Sequence, residues 1–175
     1  LGSTIKNGML AISEQRVETL RSLPRPTTVT GLRRALGAFA FIQRWLPGLA
    51  EVNGPLYEAV GGIGRRPLKW TKEMVDAFGK LKSLTANAVA LRIPDMENPF
   101  VLVTDGSDLG VGALLAQEEN GILAPVAFFH HALGKAQKKY STTEKEMLAI
   151  YLATKKFRIY LSRNFKVITD HAAIK

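Results

Sequence analysis

Pro99-Phe100-Val101-Leu102-Val103-Thr104-Asp105-Gly106-Ser107-Asp108 is the stretch that decides the fold of this 175-residue chain. Its Val- and Phe-rich run reads as a strand, and the Asp-Gly-Ser-Asp behind it is turn chemistry. Gly110 to Gln117 supplies a second strand, Glu119-Asn120-Gly121 a turn, and Ile122 to Phe129 a third strand, bent or edge-like at Pro125. Three strands at this spacing predict an antiparallel meander. A long helix is expected from Thr142 to Leu161, then a fourth strand from Phe165 to Thr169. A helical crossover returns that last strand beside the first, giving a mixed sheet.

Upstream of Pro94 the pattern is helical. Glu14 to Leu23 places Val17 and Leu20 on one face, with Ser13 as N-cap and Pro24-Arg25-Pro26 as the stop. Thr27, Thr28 or Thr30 caps a second helix reaching Leu46, where Pro47-Gly48 ends it. Asn53-Gly54-Pro55 opens a short third helix, Gly61-Gly62-Ile63-Gly64 forms a loop before Arg65-Arg66-Pro67, and Thr71 caps a fourth helix carrying Met74, Phe78 and Leu81. The expected class is α+β: a small all-helical unit over residues 14–88, then a mixed-sheet domain from 96 onward.

Composition sets the limits. With 46% hydrophobic and 22% charged residues the chain can bury a core and is not a disordered tail. The absence of cysteine excludes a disulfide framework, a thiolate zinc site and a cysteine nucleophile, so any metal must be held by oxygen or imidazole. The apolar runs fall well short of the roughly 18 residues of a membrane span. Leu1-Gly2-Ser3 has no initiator methionine and no signal-peptide pattern, which reads as the internal start of a longer, non-secreted chain. The net charge of +9 is uneven: residues 1–95 carry 14 Lys and Arg against 7 Asp and Glu, residues 96–175 carry 10 against 8. A basic half beside a near-neutral half suits a polyanion-gripping part joined to a chemistry part; a basic protein that is merely soluble fits the same numbers.

Asp105 ends the first strand, Asp170 ends the fourth, and Glu146 lies in the first turns of the helix between them. Strand ends on one edge of a sheet, with the crossover helix beside them, can bring all three together. Converging carboxylates without His or Cys favour Mg²⁺ or Mn²⁺, in the manner of a two-metal phosphodiester site. Turn formation alone also accounts for Asp105 and Asp108, and Glu146 can be read as the capping-box partner of Thr143. Ser141 with Glu144 offers a second capping box, which would leave Glu146 free to face the sheet.

Around the helix of residues 28–46, at about 100° per residue, Leu32, Leu36, Phe39 and Leu46 share the core arc. Gly37, Phe41 and Trp45 fall opposite, and Arg33, Arg34 and Arg44 point the same way. Arginines meet phosphates and aromatics lie along sugars and bases; the alternative is that Phe41 and Trp45 pack on a neighbouring helix.

Phe100 to Ala113, then Tyr140-Ser-Thr-Thr-Glu-Lys-Glu146-Met-Leu-Ala-Ile, then Val167-Ile-Thr-Asp170-His resembles the ribonuclease H domain of gypsy-type LTR retrotransposon and retroviral polymerases. Leu23-Pro-Arg-Pro-Thr, Leu32-Arg-Arg-Ala-Leu-Gly37, Phe41, Trp45-Leu-Pro-Gly, Pro55-Leu-Tyr and Trp70-Thr resembles the thumb of the same reverse transcriptases. The resemblance implies the end of a palm over residues 1–13, a thumb over 14–95, and a ribonuclease H domain over 96–175 whose C-terminal part, with a fourth metal-ligand aspartate, is missing. It implies metal-binding catalytic roles for Asp105, Glu146 and Asp170 with Mg²⁺ (Mn²⁺ as second candidate), and cleavage of the RNA strand of RNA/DNA hybrids to 3′-hydroxyl and 5′-phosphate ends. It implies a minor-groove track of Gly37, Phe41 and Trp45 on the primer–template duplex, beside Arg33, Arg34 and Arg44. The implied partners are the rest of a Pol polyprotein, fingers and palm included, and a dimer mate at the sheet edge left unpaired; the implied location is intracellular, in a cytoplasmic particle or the nucleus. His130-His131 stands where Ser-Arg is common and Lys139 where asparagine is common; adjacent strand residues face opposite ways, which disfavours a two-histidine metal site. The competing expectation is a catalytically silent nucleic-acid-binding or scaffolding fragment, truncated or domesticated.

Overall fold

The computed structural model describes residues 3–61 and 66–171; Leu1-Gly2, the 62–65 part of the glycine loop and residues 172–175 lie outside them. The chain opens on a hairpin, β1 (Ser3–Lys6) and β2 (Met9–Ile12). Asn7 and Gly8 both take positive φ, 51° and 72°, the mirror-image turn that suits a two-residue hairpin loop. Four helices follow: α1 (Glu14–Arg21), α2 (Val29–Phe41), α3 (Leu49–Ala59) and α4 (Lys72–Ala86). Thr28 and Thr71 cap α2 and α4 by accepting from the amides of Gly31 and Met74, which satisfies donors that have no partner within the helix.

Within residues 14–88 the named elements are all helices, as expected; the strands of the first unit flank them. A short strand, β3 (Leu91–Arg92), pairs with β2 to complete a three-stranded sheet in the order β1-β2-β3. Ile12 and Leu91 enter the same core as Leu20, Leu32, Leu36, Phe39, Phe78 and Leu81. A two-residue strand whose partner lies some eighty positions away leaves no local period to read.

Two helix limits also differ. α2 stops at Phe41 instead of Leu46, and Gln43–Trp45 tightens into a 3₁₀ turn. Pro47 disfavours a helical Leu46, and Leu46 is extended, with φ −112° and ψ 98°. α3 begins at Leu49, not at Asn53: Gly48, at φ +71°, is the residue that turns the chain into it, and Pro55 sits inside it.

The second unit matches the expected order. β4 (Phe100–Gly106), β5 (Gly110–Glu119) and β6 (Ile122–Ala132) run antiparallel, α5 (Thr142–Lys156) crosses over, and β7 (Phe165–Ile168) joins β4 in parallel. The sheet order is β6-β5-β4-β7, so among the described residues β7 is an edge. Pro125 lies on the outer strand β6, at the register shift opposite Leu115 and Ala116, a bulge that accommodates its missing amide. α5 ends at Lys156, short of Leu161. Its Ala153 and the following Phe157 pack on Phe100, Leu102 and Leu115. The other sheet face meets the first unit: Phe128 packs on the helical core and Asn53 of α3 meets His130 of β6.

Candidate metal centre at the ends of β4 and β7

Parallel pairing sets Val103 opposite Ile168. Continued two residues, that register brings Asp105 level with Asp170. Glu146 reaches the same point from the second turn of α5. Oxygen atoms of the three carboxylates lie within 4.8 Å of one another, with Asp105 and Asp170 exposed and Glu146 buried. The expected convergence is therefore present.

The capping question resolves at Ser141. Its amide donates to Glu144 Oε2 at 2.7 Å and its hydroxyl accepts from the Glu144 amide at 3.3 Å. That reciprocal box holds the Glu144 carboxyl below its usual range and leaves Glu146 to the sheet. Glu146 Oε1 accepts from the Gly106 amide at 2.9 Å, and Oε2 accepts from the buried Thr169 hydroxyl at 3.3 Å. Thr169 Oγ1 in turn accepts from the His171 amide, and the His171 ring meets Thr143 Oγ1 at 2.9 Å.

Asp108 belongs to a different arrangement. Lys145 Nζ donates to Asp108 Oδ1 at 2.6 Å, and this hydrogen bond and its charge pull the Asp108 carboxyl below its usual range. Among the described residues, none of Asp105, Glu146 and Asp170 is in an ion pair. Three close carboxylates without a cationic side chain leave negative charge uncompensated, and an all-oxygen donor set suits a hard divalent cation. The residues present fit such an ion.

The histidines do not join them. His130 and His131 pair with Gly112 and Val111 on opposite faces of β6. His131 is exposed, while burial, aided by the charges of His131 and Lys156, lowers the His130 pKa to about 4.

The six residues expected on the basic helix face separate. Arg34, Gly37 and Phe41 are exposed on α2; Phe41 keeps 60% of its surface, and the Arg16 guanidinium lies 4.8 Å from its ring centroid. Arg33 is half-buried and donates to the Val60 carbonyl at 2.8 Å. Trp45 is not on this face. It is 6% exposed, in the core, and its Nε1 donates to the Leu10 carbonyl at 3.1 Å. Arg44 is half-buried with its guanidinium 5.3 Å from the Trp45 ring centroid. The 3₁₀ turn advances about 120° per residue where the helix advances 100°, so the helical projection fails beyond Phe41. Lys145, Thr169 and Gly106 join the site without a signal of their own in the sequence. Gly106 looks like turn chemistry, and the other two gain meaning only from contacts across the sheet.

A family model described as "RNase H-like domain found in reverse transcriptase" matches residues 70–168. The chain is 30% identical to the retrovirus-related Pol polyprotein from transposon opus of Drosophila melanogaster, over 98% of this chain and 18% of that one. It is 35% identical to that of transposon 297 from the same fly, over 91% and 15%, and 31% identical to the Gag-Pol polyprotein of koala retrovirus, over 98% and 10%. It thus spans less than a fifth of the length of these relatives. Among solved structures, the foamy viral protease-reverse transcriptase in complex with RNA/DNA hybrid superposes with a TM-score of 0.82 at 22% identity, over 98% of this chain and 23% of that one. The same enzyme in complex with double-stranded DNA gives 0.79 at 20% identity, over 98% and 37%; at these identities the likeness establishes the fold. By the profile and the relatives together, the chain belongs to the RNase H-like domains of reverse transcriptases, within the Pol polyproteins of retrotransposons and retroviruses.

Proposed function

We propose that this chain is the thumb and the N-terminal part of the ribonuclease H domain of a retroelement reverse transcriptase, and that Asp105, Glu146 and Asp170 serve endonucleolytic hydrolysis of RNA in RNA/DNA hybrids. The observation that carries this is the set of three carboxylates within 4.8 Å, in no ion pair among the described residues. Mg²⁺, or Mn²⁺ in its place, would be held by these three residues and would supply Lewis-acid stabilisation of charge at the scissile phosphate and acidification of the attacking water. Exposed Asp105 and Asp170 present their oxygens at the surface where a strand arrives. Buried Glu146 is fixed from both sides by the Gly106 amide and the Thr169 hydroxyl, so the cluster keeps its shape.

The duplex grip falls to Arg34, Gly37 and Phe41 of α2, in a half of the chain rich in Lys and Arg. The rest of the Pol polyprotein, fingers and palm included, is the proposed covalent partner, and a second copy at the β7 edge a non-covalent one. The proposed location is wherever hybrids are made inside the cell, in a cytoplasmic particle or the nucleus. No described helix is long and apolar enough to cross a membrane.

The test is cleavage of a labelled RNA/DNA hybrid in Mg²⁺ and in Mn²⁺, beside Asp105→Asn. Cleavage that the variant loses supports the hydrolytic reading. Salt-sensitive hybrid binding with no cleavage, even in a chain extended to the fourth aspartate, would replace it with a silent binding module.

A further inference from the structure

Lys145 is a lysine in an unusual place. Its side chain is 8% exposed, and its ammonium is held by Asp108, whose own side chain is 91% exposed. Burying the stem of a lysine and fixing its ammonium in one place costs rotamer freedom and part of its hydration, which an apolar side chain would not lose. What the pair adds is a fixed registration between two elements. Asp108 lies in the β4–β5 turn, three residues after Asp105. Lys145 is the residue before Glu146. The ion pair therefore ties together the neighbours of two of the three clustered carboxylates.

Two more contacts act on the same junction. The Gly106 amide donates to Glu146 Oε1. A Cβ on Gly106 would lie 3.0 Å from the carbonyl carbon of Lys145 and 3.1 Å from the amide nitrogen of Glu146, so β4 and the first turns of α5 touch backbone to backbone. Gly106 allows the approach, the Glu146 carboxylate bridges it, and the Lys145–Asp108 pair closes it from the turn side.

We propose that Lys145 is a positioning residue for the cation site: its largely buried side chain, with the ammonium pinned by Asp108, locks the first turns of α5 onto the β4–β5 turn and holds Glu146 against Asp105 and Asp170. The inference rests on the reading of the three carboxylates as a cation site. It also fixes the sign of an effect. A lysine that acted only as a nearby positive charge would oppose cation binding, and its removal would tighten it. A lysine that positions Glu146 does the reverse.

The test is a Mn²⁺ titration of the whole chain followed by electron paramagnetic resonance, with the Gly106 amide resonance and the thermal melt recorded alongside. Lys145→Met is expected to weaken Mn²⁺ binding by roughly tenfold or more, the usual cost of losing a residue that orients a metal ligand. It is also expected to shift the Gly106 amide while the melt stays cooperative. Asp108→Ala, on an exposed turn that tolerates substitution, is expected to weaken binding in the same direction, and Asp108→Glu to restore it. Should Lys145→Met fail to fold, Lys145→Gln takes its place and decides, since loss of the Asp108 charge would weaken cation binding whether or not Lys145 positions Glu146. Mn²⁺ that binds the wild type, is lost in Asp105→Asn, and is held as tightly or more tightly by Lys145→Met or Asp108→Ala overturns the inference alone. A wild type that takes up no Mn²⁺, or takes it up equally with Asp105→Asn, overturns the cation site and the inference with it.

Discussion

Glu146 differs from the two aspartates in kind. It is 3% exposed and carries hydrogen bonds on both oxygens, while Asp105 and Asp170 face solvent. Like charges this close repel, and the repulsion is greatest when no cation is present. Asp105→Asn removes one charge from an exposed position at nearly constant shape. The variant is expected to melt at a higher temperature than the wild type in chelator, and to lose the rise in melting temperature that Mg²⁺ gives the wild type, since a ligand of the folded state stabilises it by mass action. Differential scanning calorimetry with and without Mg²⁺ checks both halves; a lower melting point in chelator would mean that Asp105 is structurally required. The choice of Glu146 over Glu144 was legible in the sequence because Ser141-Thr142-Thr143-Glu144 completes a capping box on its own. The roles of Thr169 and Lys145 were not, because each is defined by a partner on another element.

At the scale of elements, α2 and the 3₁₀ turn behind it divide two aromatics that sequence spacing had put together. Phe41 is on the exposed face with Arg34 and Gly37; Trp45 is a core residue tied to β2 through the Leu10 carbonyl. Their substitutions are expected to diverge. Phe41→Ala leaves the melting temperature nearly unchanged and weakens binding of an RNA/DNA hybrid, whereas Trp45→Ala costs about 3–5 kcal/mol of stability as a large core truncation. Denaturant melts beside hybrid binding by fluorescence anisotropy separate the two, and a Phe41→Ala chain with wild-type affinity would remove α2 from the interface. The α5 cap offers a second measurement. Ser141→Ala is expected to cost about 1 kcal/mol by undoing the box with Glu144, read in the same melts. Strands β4 to β7 were legible because each carries its own run of Val, Leu, Ile or Phe between turn signals, and the crossover helix fixed their order. The β1–β2 hairpin carries its signal in Asn7-Gly8, a two-residue turn pair with positive φ at both positions. β3 carried none, since two residues set no period and their pairing is long-range.

At the scale of the whole molecule, the four-stranded sheet meets α5 on one face, along β4 and β5, and the first unit on the other, along β5 and β6. His130 marks that second contact. Its Nε2 lies 3.5 Å from Asn53 Nδ2, and both His130 Nδ1 and Asn53 Oδ1 are buried without a hydrogen-bond partner among the described residues. Burial is the main cause of its low pKa, about 4 against the ordinary 6.5, with His131 and Lys156 adding positive charge nearby. A histidine depressed on folding binds fewer protons in the folded state than in the unfolded one. The contribution of His130 to stability therefore stays level above pH 6.5, falls as the pH drops toward 4, and is gone below it, a change of about 3 kcal/mol at roughly 1.4 kcal/mol per pH unit. His130→Gln cannot take up that proton, so its stability is expected to vary less between pH 6.5 and 4 than the wild type's. Denaturant unfolding across this range measures the difference, and parallel curves for the two proteins would place the acid sensitivity elsewhere. Because His130 and Asn53 lie between β6 and α3, the same protonation is expected to loosen the hold of the first unit on the sheet before either core melts. Hydrogen exchange at α3 and β6 should then rise ahead of exchange at β4, whose amides lie in the interior of the sheet.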